Sequence, residues 1–197
     1  MGLSFHYSGN FKKSESLPRM IEEVKEVAEV NNWKYFLFEN DFDAKQLGSK
    51  KYSDKIYGLC FTPPGCETVF MSFLSNGRLS SPMHLKFYGY SKEYDEELYL
   101  YTQSVKTQYA SLEIHKMVID LFRYISKKYF ENFKLNDEGE YWETEDEKKL
   151  AYNFNRNLGL INSFADALEN TTAKPGETLE DHIKNILKKM QDEEGEG

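Results

Sequence analysis

Four histidines (His6, His84, His115 and His182) and two cysteines (Cys60 and Cys66) are the residues best suited to move protons or attack a carbonyl. Either task needs a partner within hydrogen-bond reach: a carboxylate to orient an imidazole, or an imidazole to take the proton of a thiol. No local motif supplies one. The strings G-x-x-x-x-G-K-[ST], G-x-G-x-x-G and G-x-S-x-G are absent, so neither a phosphate-cradling loop nor a nucleophile turn is encoded. Cys66 lies between Gly65 and Glu67, and only the fold could bring a histidine to it. A set assembled in that way would draw on His84, Glu113, His115 and Cys66, with histidine as general base and a carboxylate or thiol as its partner. His115 borders the apolar stripe of its helix and suits a hydrogen-bonded place at the core margin. His182, beside Asp181 in the first turn of a helix, is expected in solvent.

Metal chemistry has less support. The cysteine spacing C-x5-C does not match a zinc site, and H-E-x-x-H is absent. Glu113 and His115 are two residues apart on a helix and so point roughly 200° apart. Aligning Gly139 with the glycine of a calcium-binding loop puts Lys134 at the first ligand position, where a carboxylate is needed. No metal ion or other cofactor is expected, and both cysteines are expected as free thiols.

The most suggestive pattern is a face. Alternation through Met83–Tyr88 puts His84, Lys86 and Tyr88 on one side; alternation through Leu98–Gln103 does the same for Tyr99 and Tyr101. Paired strands would gather these five residues on one sheet surface. Rings with polar tips stack on planar ligands or pack against a partner protein. Aromatic sheet faces also bind single-stranded nucleic acid, but they do so in basic surroundings that this acidic chain lacks.

The elements that would position this face follow from periodicity. Leu3–Tyr7 alternates as a strand. Met20, Ile21, Val24, Val27 and Ala28 share one helical face, begun by Ser16 and Pro18. Strands are expected at Trp33–Phe38, Ile56–Phe61 and Thr68–Leu74, with a two-residue type I′ turn at Asn76-Gly77. The return strand from Leu79 bulges at Pro82 and resumes through Phe87, and Glu97–Gln103 adds another. A long helix begins near Thr107, a short strand covers Phe133–Leu135, and the capping box Thr144–Glu147 opens a further helix that Gly159 could divide. Pro175-Gly176 turns the chain into a last helix capped by Thr178, with Leu179, Ile183, Ile186, Leu187 and Met190 on its apolar face. The expected class is α+β: an antiparallel sheet of about five to seven strands with helices on one face. Residues 1–136 form that sheet domain, and 137–197 form a helical extension packed on it.

Composition bounds the function. With 14 Tyr and 14 Phe in 197 residues, the chain can build a core and is not a disordered segment. The formal charge of −8 argues against nonspecific binding to nucleic acid or anionic lipid. Much of it is local: Glu131–Leu150 carries eight acids against three bases. No apolar run approaches the roughly 20 residues of a membrane span, and no secretory leader is visible, so a cytoplasmic location is expected. Three functions remain. The first is a non-catalytic binding or protein-interaction module, with another protein or a second copy as partner. The second is a small hydrolase-like enzyme whose site forms only in the fold. The third, an acidic mimic of nucleic acid, is weakest because its acids form only a local cluster.

Overall fold

The computed structural model describes residues 3–172 and 176–195. Strand β1 (Ser4–Phe11) turns Phe5, Tyr7 and Phe11 inward by the alternation expected of a half-buried strand. It lies between β5 (Gln103–Lys106) and β6 (Phe130–Asp137) in a three-stranded antiparallel sheet. Strands β2 (Lys34–Leu37), β3 (Ile56–Thr62) and β4 (Val69–Leu74) form a second antiparallel sheet, in that order. The expected α+β class and antiparallel pairing are present, but as two three-stranded sheets rather than one of five to seven strands. A short stitch joins them: Phe11 N donates to Gly77 O, Leu79 N to Gly9 O, and Ser80 N to Ser72 O.

The turn into this stitch differs from the expected type I′. Leu74 N donates to Arg78 O and Gly77 N to Leu74 O, which makes a three-residue loop. Gly77 has φ +84°, while Asn76 keeps a negative φ. A single left-handed glycine closing such a loop is the next most common hairpin geometry. Asn76 instead uses its side chain, accepting from Arg78 N and donating to the Tyr101 hydroxyl.

Helices α1 (Leu17–Val30) and α4 (Leu112–Tyr129) cover the sheets. Leu17, Met20, Ile21, Val24 and Ala28 from α1 join Val118, Ile119, Phe122 and Ile125 from α4 in one buried cluster with Phe5, Tyr7 and Phe73. Helix α1 follows a 3-10 turn, Ser14–Ser16, in which the Ser16 hydroxyl donates to Lys13 O instead of capping. Helix α4 starts later than Thr107 because Ser111 is its cap, accepting from Ile114 N.

Two stretches expected as strand are helical. Residues Pro82–Tyr88 form α2 and Glu96–Tyr99 form α3. Ser81 caps α2 by accepting from His84 N, and Pro82 suits the first turn; Asp95 caps α3 by accepting from Glu97 N and Leu98 N. These caps outweigh a two-residue alternation too short to be decisive.

The C-terminal third is helical. After α5 (Tyr141–Thr144), Glu145 takes a left-handed φ of +56°, and Asp146 rather than Thr144 caps α6 (Glu147–Asn170). Helix α6 runs through Gly159 unbroken. Leu150 and Phe154 join the main core, while the rest of α6 packs against α7 (Leu179–Gly195). Thr178 caps α7 as expected, accepting from Asp181 N. His182 is buried rather than solvated, with Nδ1 3.2 Å from Glu177. Pro175 and the side chain of Met190 lie outside the described residues.

Candidate functional site

The chain leaves the stitch at Ser80 and returns to the sheet at Gln103, and α2 and α3 occupy the interval. This excursion is anchored from beneath. The Ser80 hydroxyl donates to Leu100 O at 2.9 Å, and Leu85 and Tyr88 pack on a small buried cluster of Leu74, Leu100 and Tyr101. Tyr101 is only 2% exposed, so it cannot serve a surface site. Its ring carries the Arg78 guanidinium at 3.5 Å, and Arg78 also pairs with Glu97. The Arg78 hydrogen bonds hold the Glu97 carboxyl below its ordinary pKa.

The five residues expected on one sheet face are therefore redistributed. His84, Lys86 and Tyr88 stand on a helix, where successive residues turn by about 100°. His84 and Tyr88, one turn apart, meet with ring centroids 5.8 Å apart, edge to face. Lys86 is exposed and lies near the Phe87 ring instead. Tyr99 reaches Tyr88 across the excursion at 5.3 Å. Tyr94, which no alternation singled out, completes the group at 5.1 Å from Tyr88 and 5.3 Å from Tyr99. The usable signal was the Ser81-Pro82 helix start, which converts a spacing of four at His84 and Tyr88 into a shared face.

His84 is half-buried. Its Nδ1 lies 2.9 Å from Gln103 Nε2, and an amide nitrogen only donates, so Nδ1 accepts. Burial lowers the His84 pKa below its usual value, against an opposing hydrogen bond at the Leu100 backbone. The imidazole is thus held neutral as a fastening between α2 and β5.

Outward, the excursion carries large apolar and aromatic side chains among charged ones. Met83, Phe87 and Leu98 are 56%, 57% and 59% exposed, and Tyr90, Tyr94 and Tyr99 are at least 40% exposed. Tyr90 stacks on Tyr52 with centroids 4.8 Å apart. Exposed Glu93, Asp95, Glu96 and Glu97 outnumber Lys86 and Lys92 along the same segment.

The other candidate residues are dispersed among structural roles. His115 is fully buried between Thr107, 2.8 Å from its Nδ1, and Asp137, 3.1 Å from its Nε2. Asp137 also accepts from the amides of Gly139, Tyr141 and Trp142. Burial opposes its ionisation, but the His115 hydrogen bond and charge, with the Gly139 and Trp142 amides, outweigh that and keep its pKa low. This His/carboxylate pair is sealed: Asp137 is 2% exposed, and it ties β6 and α5 to α4. Glu113 is exposed in the first turn of α4. Cys66 sits in a turn closed by its own amide to Pro63 O, and burial with the nearby Glu67 charge pushes its thiol up to about 11. Both cysteines are free.

Comparison with protein-family models, curated proteins and solved structures returned no match. Among the described residues no helix is long and apolar enough to cross a membrane, and no three His, Cys, Asp or Glu side chains gather as metal ligands.

Proposed function

We propose that this protein is a non-catalytic interaction module that binds another protein through the outer surface of the α2–α3 excursion. The carrying observation is the concentration of Met83, Phe87, Tyr90, Tyr94, Leu98 and Tyr99, all substantially exposed, within one excursion between two strands. Isolated apolar residues on a surface are ordinary, whereas a concentration of them marks contact. Aromatic anchors supply much of the energy of protein interfaces. Here Tyr88, Tyr94 and Tyr99 already pack on one another, so little rotamer freedom remains to be lost on binding. The acidic flank selects the partner: an apolar centre ringed by lysine and arginine, not an anionic nucleic acid or lipid surface. The assembled His115–Asp137 pair lends the hydrolase-like alternative no support, because a substrate carbonyl has no route to it.

The test is affinity capture with the wild-type chain and with Phe87→Ser/Leu98→Ser. A protein held by the wild type, released by salt and missing from the double variant is the expected outcome. Identical captured proteins for both chains would overturn the reading.

A further inference from the structure

A second surface lies at the far edge of the molecule. Among the described residues strand β2 is paired only with β3, and all four of its residues are exposed. Phe36 is 61% exposed and Leu37 42%. Natural proteins blunt such edges with short strands, lysine, proline, bulges or inward charges; β2 is short and opens on Lys34, but Tyr35–Leu37 carries no charge, proline or bulge.

We propose that two copies of this chain associate through β2, as antiparallel strands related by a two-fold axis at Phe36. The ladder fixes the register. Phe38 N donates inward to Gly58 O, and peptide groups alternate along an antiparallel strand. Phe36 therefore also faces β3, and the peptide groups of Tyr35 and Leu37 face outward. A two-fold axis at Phe36 sets Tyr35 against the partner's Leu37 as a hydrogen-bonded pair and Phe36 against its own counterpart. Aromatic pairs at such cross-strand positions are stabilising.

The choice of a second copy over an unrelated peptide rests on charge. Lys34 opens the strand, while at its other end Glu39 and Asp54, two acids against the one base Lys55, help wall an open recess of ≈ 560 Å³ beside Phe36 and Phe38. Antiparallel two-fold pairing sets each Lys34 opposite position 38 of the other copy, beside its Glu39, a self-complementary match. The four-residue ladder is short, so the contact belongs with small, reversible interfaces.

Sedimentation velocity over a wide concentration range tests this. The wild type is expected to move from 23.1 kDa toward twice that mass as concentration rises. Phe36→Lys, which sets two like charges face to face, should remain monomeric with an unchanged melting temperature, because the site is exposed. Amide exchange at Tyr35 and Leu37 should slow with concentration in the wild type alone. A monomer at every concentration, or a dimer that survives Phe36→Lys, overturns the proposal. Phe87→Ser/Leu98→Ser should leave the dimer intact; its loss there would place the two-fold on the α2–α3 excursion and overturn β2 pairing, whatever that variant does to capture of other proteins.

Discussion

The Tyr7 hydroxyl donates to the Phe70 carbonyl at 2.8 Å and accepts from the Phe70 amide at 3.0 Å. One phenol thus satisfies both main-chain groups of a residue in the other sheet, where β1 and β4 do not pair. Tyr7 is 1% exposed, and burial raises its pKa far above the usual tyrosine value. Tyr7→Phe keeps the ring and strips Phe70 of both partners. Leaving buried polar groups unpaired costs about 1–3 kcal/mol. A fall in the denaturant midpoint with unchanged m-value is the expected result.

Asp137 is expected to govern acid stability. Its pKa is depressed in the fold, so its contribution is complete above the unfolded carboxylate value and is lost as pH falls through the folded one. Breaking a buried pair by removing one partner costs about 3–5 kcal/mol. Asp137→Asn should therefore lower stability at neutral pH and flatten the loss below about pH 4. Urea titrations at several pH values read both effects.

His84 should act in the same direction at higher pH. Its pKa is lowered in the fold, so the unfolded chain takes up a proton that the folded chain resists. Stability drops as pH falls through about 6.5. An NMR titration should place the His84 midpoint below that value. The melting temperature of His84→Gln should depend less on pH between neutrality and mild acid.

The thiols should be sluggish. Cys66 titrates at about 11 and burial raises Cys60 as well. Thiolate is the reactive form, so both should react with a disulfide reagent at pH 8 more slowly than free cysteine. Reaction should accelerate once denaturant unfolds the chain. Rapid labelling of the native protein would contradict the half-buried setting of either residue.

What the sequence revealed depended on how long each signal ran. Helix α1 was legible because Met20, Ile21, Val24 and Ala28 repeat over three turns and all become buried. In contrast, Met83, Leu85 and Phe87 alternate over only five residues, and that run is compatible with either period. The caps Ser81 and Asp95 settled the matter locally. Tyr94 was invisible as a site residue because its neighbours Tyr88 and Tyr99 reach it through tertiary packing alone. His182 was misplaced because its burial depends on how α7 lies on α6, which no local pattern encodes.

Both ends of the excursion are clamped to the same edge of β1, residues 77–79 beside its second half and β5 beside its first. Its exposed side chains stand outside both ladders, so changing them shifts no strand register. Under the proposed binding role, substitutions confined to exposed Met83, Phe87, Tyr94 and Leu98 should change the partner, while buried Leu100 and Tyr101 keep the scaffold assembled.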